Sequence, residues 1–185
     1  MSKILHAKVS DLPSLAKCFR RVQGDMEAKG LDLEIEESLF EKEIEEGHLY
    51  VVKEGIRIIG AALVSFVVED VFFPQSKSQR KVVSLLDEFD YQDEGILILT
   101  QFFIDPAYQH QGIGSMLLEA LSSAFKGYSI LLYLSKENHP AISFFQKHGF
   151  TNYGNQFELE IEGKENIDFF AKKPKKDGLC RNIGW

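Results

Sequence analysis

The stretch from residue 96 to residue 125 constrains the fold most. Ile96 to Ile104 is an almost continuous apolar run, which predicts a buried strand, and Pro106 ends it. The chain then passes Gly112 and Gly114 and enters an amphipathic helical pattern over 112–125. The first amides of such a helix have no intrahelical acceptors, and the helix dipole adds positive potential there. The turn therefore predicts a site for a phosphate or diphosphate.

The side chains of the turn and the spacing of its glycines narrow this prediction. Gln109, His110 and Gln111 offer additional donors, although the glycines would equally suit a turn that only joins a strand to a helix. A Walker A loop is excluded because no Gly-Lys pair is followed by Ser or Thr. A dinucleotide fingerprint would need glycine or alanine at position 117, where the chain has Leu117, so a nucleotide-binding module of another class is the weaker alternative.

The remaining periodicities alternate between strand and helix and predict a three-layer α/β sandwich. A helix capped by Ser10 carries Pro13 in its first turn and ends at Gly30, and an acidic helix follows over residues 37–46. The other predicted elements are strands at Lys3–Val9, Leu49–Val52, Ile56–Val68, Ser129–Leu134 and Thr151–Ile161, and a helix at Pro140–His148. The irregular stretch 72–94 is typical of a binding lid, with a disordered segment as the alternative.

Length and composition bound the organisation of the chain. With 185 residues, it predicts a single domain over 1–161, followed by a charged extension over 162–185. The net charge of −7 disfavours binding to nucleic acid or to an anionic membrane, and the best apolar run, Ile58–Val68, is far shorter than the ~20 residues of a spanning helix. Two cysteines without zinc spacing predict neither a disulfide framework nor a metal site. Together with an opening that lacks a signal-peptide core, they favour the cytoplasm.

Two segments of the chain resemble a known family. The pattern Gln109-x-x-Gly112-x-Gly114, after a strand ending in Ile-Asp-Pro, is similar to the Q/R-x-x-G-x-G/A signature of GNAT-type acyl-CoA N-acyltransferases. A second segment, Asn138-x-x-Ala141-x-x-Phe144-Phe145-x-x-x-Gly149-Phe150, resembles the downstream N-x-x-A-x-x-(F/L)-Y-x-x-x-G-F pattern of the same family. Similar residues also stand upstream, at Ser10-Asp11-Leu12 and Gly60-Ala61-Ala62, so that residues 3 to 161 can be laid on the fold.

This resemblance implies a GNAT-like mixed central sheet whose fourth and fifth strands splay apart, with acetyl-CoA lodged between them. The pantetheine would pair with the backbone around Phe103 and Ile104. The pyrophosphate would rest on the amides of Gln109, His110, Gln111, Gly112, Ile113, Gly114 and Ser115. Asn138 would reach the cofactor or cap the following helix, and Phe145 would line the thioester pocket or belong to the core. The implied reaction is direct transfer of the acetyl group to a primary amine of a small molecule or protein in a ternary complex, without a metal. The family commonly forms homodimers.

The catalytic residues are the least defined part of the resemblance. Many family members carry a proton-donating tyrosine where this chain has Phe145, which has no proton to donate. Either the sulfur leaves as a thiolate, or water or another hydroxyl replaces the tyrosine, or the domain binds acyl-CoA with little turnover. Ser135, Tyr133 and Tyr153 are the hydroxyl residues nearby in sequence.

Candidates for a general base are equally few. Thr100 and Gln101 interrupt the apolar strand, so at least one is expected at a bulge or facing the cleft. Neither is a base at neutral pH, but either could orient a water molecule. Glu94 and Asp93, just before the strand, are the candidate carboxylates.

Overall fold

The computed structural model describes residues 3–31, 39–66, 95–154 and 167–174. It contains a seven-stranded sheet in the order β1-β2-β3-β4-β5-β7-β6. The strands are β1 (Lys3–His6), β2 (Leu49–Glu54), β3 (Arg57–Phe66), β4 (Gly95–Ile104), β5 (Tyr128–Ser135), β6 (Thr151–Gly154) and β7 (Ile167–Lys172). The helices are α1 (Leu12–Ala28), α2 (Leu39–Glu45), α3 (Ile113–Ala124) and α4 (His139–Lys147).

The helices cover the two faces of this sheet. On one face α1 and α2 bury Leu15, Phe19 and Phe40 against β2 and β3. On the other face α3 and α4 bury Leu117 and Phe145 against β3, β4 and β5. All paired strands are antiparallel except β4 and β5, which are parallel. The predicted α/β class and its three layers are therefore confirmed.

Several predicted elements need correction at their ends. Ser10 does not cap α1, because a 3-10 turn over Val9–Asp11 comes first and α1 begins at Leu12. This turn forms because the Asp11 carboxylate accepts a hydrogen bond from the Lys8 amide at 2.9 Å and pairs with Lys53. Helix α1 ends at Ala28, followed by Gly30 in the left-handed conformation. The proposed lid at 72–94 lies outside the described residues.

The prediction of a charged extension after residue 161 is wrong for Ile167–Lys172. This segment forms β7, which lies between β5 and β6 and pairs antiparallel with both. Its Phe169 and Phe170 are buried. Strand β7 thus joins β5 and β6 in the sheet. The charged residues around it made this short strand difficult to recognise in the sequence.

Candidate active site

The site begins where β4 and β5 separate. The parallel pairing of the two strands ends at the pair Ile98–Leu131. Beyond that pair, β4 continues to Ile104 against β3, while β5 continues to Ser135 against β7. The strands consequently splay toward their carboxyl ends, as predicted, and leave one edge of β4 without a neighbouring strand among the described residues.

The register identifies which peptide groups lie on this open edge. The Asp105 amide donates to the Ile59 carbonyl of β3 at 2.9 Å. Because peptide groups alternate in direction along an antiparallel strand, those of Phe103 face β3 and those of Phe102 and Ile104 face the opening. Contact of a pantetheine with Phe103 and Ile104 stays a prediction, and this alternation favours Ile104 together with Phe102.

A β-bulge interrupts β4 at the depth where the strands part. Leu63 is paired with Gln101, but the next residue of β3, Val64, is paired with Leu99, so Thr100 is the extra residue. The Thr100 hydroxyl donates to the Leu63 carbonyl at 3.2 Å. The expectation that Thr100 or Gln101 sits at a bulge is confirmed for Thr100. The catalytic candidacy of Gln101 stays a prediction.

The loop after β4 is braced by its own side chains. Gln109 donates through Nε2 to the Ile104 carbonyl at 3.2 Å, and Gln111 donates through Nε2 to the Ala107 carbonyl at 3.0 Å. Each amide group has two hydrogens, so each glutamine still has one donor available after this contact. His110 is exposed and adopts the left-handed conformation, with φ of 60°. The two glutamines therefore hold the loop in shape, and the role of Gln109, His110 and Gln111 as donors to a ligand stays a prediction.

Helix α3 then starts with outward-pointing amides. Gly112 has φ of 80°, a conformation that favours glycine, and its carbonyl accepts the first intrahelical bond, from the Met116 amide at 3.0 Å. The amides of Ile113, Gly114 and Ser115 precede that bond, so they have no acceptor within the helix. This arrangement provides the geometry for holding a diphosphate that the sequence predicts.

Helix α4 packs closely against this end of α3. A Cβ atom on Gly114 would lie 3.3 Å from the Phe144 ring and 3.7 Å from the Ile104 side chain, so glycine permits this close approach. His148 connects the helices, with Nδ1 2.8 Å from the Phe144 carbonyl oxygen and Nε2 2.9 Å from Ser115 Oγ. Since a carbonyl only accepts, Nδ1 carries a hydrogen. This link is not visible in the sequence, because its partners are 33 positions apart.

A buried carboxylate anchors the first residue of the loop. Asp105 is fully buried and forms ion pairs with Arg21 of α1 at 2.7 Å and Arg57 of β3 at 2.9 Å. Burial alone would raise the pKa of Asp105, but the hydrogen bonds from the two guanidinium groups outweigh it and hold this pKa below its usual value. Arg57 also lies over the Tyr108 ring, whose hydroxyl donates to Glu54 at 2.7 Å. The network fixes the loop to β3 and α1.

Two residues of the second signature segment have defined places. Asn138 caps α4, because its Oδ1 accepts from the Ala141 amide at 3.3 Å. This confirms the capping role, and contact with a cofactor stays a prediction. Phe145 is only 3% exposed and packs against Phe102 and Phe150 with ring centroids 5.4 and 5.2 Å apart. Its place is thus in the core, and a further role as a pocket wall stays a prediction.

Other candidate residues lie away from the open edge or outside the described chain. Glu94 and Asp93 belong to the residues that the structure does not describe. The structure also brings His48 Nδ1 to 3.0 Å from a Glu43 carboxylate oxygen and to 3.3 Å from a Glu46 carboxylate oxygen. This partly exposed group sits where α2 ends and β2 begins.

Among the described residues, no helix has the length and apolar character needed to cross a membrane.

The structure thus combines a sheet that splits between β4 and β5 with a helix whose first amides have no acceptor within the helix. The family model for the acetyltransferase (GNAT) domain matches residues 45–152, more than half of the chain. The chain therefore belongs to the GNAT acetyltransferase family. A search of curated proteins returned no match.

Solved structures share this fold at low sequence identity. The ribosomal-protein-S18-alanine N-acetyltransferase of Escherichia coli matches with a TM-score of 0.65 and 19% identity over 100% of both chains. A GNAT-family acetyltransferase of Streptococcus agalactiae matches with a TM-score of 0.69 and 14% identity, over 95% of this chain and 96% of that one. The PaiA N-acetyltransferase of Thermoplasma acidophilum, solved in complex with coenzyme A, matches with a TM-score of 0.60 and 16% identity, over 94% and 99%.

Proposed function

We propose that this protein transfers an acetyl group from acetyl-CoA to a primary amine of a small molecule or a protein. The amine attacks the thioester directly while both substrates are bound. Family membership supports acetyl transfer in general, and the coenzyme A in the Thermoplasma acidophilum structure supports the choice of donor. The low cysteine content supports a cytoplasmic location.

The observation that carries this proposal is the end of β4–β5 pairing at Ile98–Leu131, on a strand that runs into the Gly112 turn. A diphosphate at the free amides of α3 would place the attached pantetheine along the open edge of β4. From Ile104 back to Thr100 is about 13 Å at ~3.3 Å per residue. An extended arm along this edge would carry the thioester to the point where the strands part.

The open edge also supplies a donor for the reacting carbonyl. The Phe102 amide faces the gap, two residues deeper than the Ile104 amide. A preorganised backbone N–H of this kind stabilises the negative oxygen that forms as the amine attacks, and loss of one such donor typically costs ~10²–10³-fold in rate. Binding and alignment of both substrates would supply most of the remaining acceleration.

Phe145 favours one alternative function. Its ring is buried and has no hydroxyl, so the helix position that commonly holds a tyrosine gives no proton to the leaving sulfur. A domain of the same fold that binds acyl-CoA with little turnover would share every cofactor contact proposed above. Only turnover separates the two functions.

Binding and turnover are tested in sequence. Titration calorimetry should detect acetyl-CoA binding but no binding of NAD or ATP. Thiol release from acetyl-CoA is then followed with a panel of amines that includes lysine, polyamines and peptides with free amino termini. Binding without acetylation of any amine above the rate in buffer would favour the alternative function.

The loop is tested with two matched variants. Gly112→Trp should reduce acetyl-CoA affinity at least ~10-fold, because the indole would cover the amides of α3. Gly30→Trp is the control, since Gly30 has a similar φ of 73° and its Cβ would also meet nothing within 4 Å, but it follows α1. Equal affinities in the two variants would show that the ligand does not bind at this turn.

A further inference from the structure

A proton donor to the leaving sulfur would assist the reaction proposed above, and the second signature segment does not provide one. Three hydroxyl-bearing residues of the described chain stand on β4 and β5 beyond their last pair. The Thr100 hydroxyl donates to the Leu63 carbonyl, and the Ser135 oxygen accepts from the Glu137 amide at 3.3 Å. Tyr133 is the third, and it is the one whose side chain is long enough to extend away from its own strand.

The pairing registers place Tyr133 at the point where the sheet divides. The last β4–β5 pair is Ile98–Leu131, so Tyr133 lies two residues further along β5, level with the bulged Thr100. Two residues of a strand bring the side chain back to the same face, so Tyr133 shares the face of Leu131. It therefore stands at the inner end of the gap, at the depth reached by the proposed thioester.

The face on which Tyr133 projects is opposite to that of Phe145. Leu131 packs with Phe169 and Ala171, apart from the cluster that contains Phe145 and the core residues of α3. Tyr133 is paired with Phe169 and is 37% exposed, so its ring is supported while part of it remains accessible. A group held in the gap would thus lie between the face of the sheet that carries Tyr133 and the face covered by α4.

We propose that the Tyr133 hydroxyl is the proton donor to the sulfur of coenzyme A, and this inference rests on the proposed function. The amine nitrogen forms a bond to the carbonyl carbon, the carbon–sulfur bond breaks, and its electron pair goes to sulfur. Tyr133 gives its proton to that sulfur. The nitrogen releases one proton to solvent, and the phenolate of Tyr133 takes one back, so one proton passes in net from nitrogen to sulfur.

The surroundings of Tyr133 suit a donor better than a base. Burial raises the pKa of Tyr133 above its usual value, so the hydroxyl keeps its proton at neutral pH. The face around it offers Leu131 and Phe169, which are apolar and buried. A hydroxyl that keeps its proton can donate to a thiolate that forms beside it.

The test measures the thiol of bound coenzyme A and needs no acceptor. Coenzyme A is titrated against pH in complex with the wild type and with Tyr133→Phe, and ultraviolet absorbance of the thiolate gives the thiol pKa. A donor to sulfur stabilises the thiolate, so this pKa should be about one unit higher in the variant, a tenfold change in the equilibrium. With any amine that the panel identifies, the variant should also lose ~10²-fold in kcat at an unchanged KM for acetyl-CoA.

Tyr128→Phe is the matched control, because it removes the same hydroxyl from the other end of β5, where the ring packs against Phe66 and Phe125. Its bound thiol should titrate as in the wild type. Equal thiol pKa values in the wild type and Tyr133→Phe, with coenzyme A bound to both, would overturn the role of Tyr133 alone. No binding by the wild type would instead overturn the proposed function.

A crystal structure of the wild type with coenzyme A provides the second measurement, should Tyr133→Phe fail to fold. A Tyr133 hydroxyl within hydrogen-bond distance of the sulfur supports the proposal. A sulfur that lies beyond that distance, with no bridging water, refutes it.

Discussion

Replacement of Asp105 by alanine should weaken the fold measurably at the base of the loop. The carboxylate is fully buried and accepts hydrogen bonds from Arg21, Arg57 and the Ala107 amide. Loss of the cap on the Ala107 amide costs about 1 kcal/mol, and loss of the charged hydrogen bonds costs about 1.5 kcal/mol or more. The side chains of Arg21 and Arg57 are 39% and 45% exposed, so water compensates part of this loss. We therefore expect a decrease of about 2–3 kcal/mol in the free energy of unfolding.

The sign of the pH dependence follows from the lowered pKa of Asp105. A carboxyl whose pKa is lower in the folded than in the unfolded protein stabilises the fold at every pH above its pKa in the unfolded protein, which is about 3.9. That contribution is lost as the pH falls through the lower, folded value. The wild type and Asp105→Ala should thus differ most in their free energy of unfolding near neutral pH, and this difference should become smaller below about pH 4.

Urea unfolding of both proteins at about pH 7 and at about pH 3.5 measures this difference. Asp25→Ala is the control, because Asp25 pairs with Lys29 on the exposed surface of the same helix that carries Arg21. Such an exposed pair should contribute less than about 0.5 kcal/mol. A loss of unfolding free energy in Asp105→Ala that is no larger than in Asp25→Ala, or that does not change with pH, would refute the role of the Asp105 ion pairs.

Two further predictions concern the partly buried Ser115 and the buried Cys18. Ser115→Ala removes the hydroxyl that bonds to His148 and should lower the free energy of unfolding by about 1 kcal/mol. Ser123→Ala is the control, because it removes an exposed hydroxyl from the same helix and should leave the free energy of unfolding unchanged or raise it slightly. Equal effects of the two substitutions in urea unfolding would contradict the link between Ser115 and His148. Burial raises the pKa of Cys18 to about 12. In a Cys180→Ser variant, where Cys18 is the one remaining thiol, a thiol reagent at about pH 8 should label the folded protein ~10³-fold more slowly than the unfolded protein. Similar labelling rates of the two states would contradict this burial.

The sequence predicts best where local periodicity and local chemistry agree. The strand that became β4, the Gly112 turn and α3 follow each other without interruption, so apolar spacing alone locates them. The bulge at Thr100 is also visible, because polar residues interrupt an otherwise apolar strand. The splay of β4 from β5 followed from the family resemblance and is present in the pairing registers.

The contacts that the sequence could not predict connect distant parts of the chain. Asp105 lies 84 positions from Arg21 and 48 from Arg57, and only the packing of α1 on the sheet brings them together. The position of Tyr133 likewise depends on which strands flank β5, and a pattern of alternation carries no information about neighbours. The sequence did not predict strand β7, because a run of six residues between charged residues is too short to show a clear strand pattern.

The strand order has a consequence for how the protein is made. Strand β7 is the last described strand in the chain, yet it lies between β5 and β6, which come earlier. While the ribosome is still adding the residues before β7, the hydrogen-bonding groups of β5 on that side have no partner strand among the described ones. An open edge of this kind invites pairing with another nascent chain. Until Ile167–Lys172 pairs with β5, this edge of the sheet is therefore open to association with another chain.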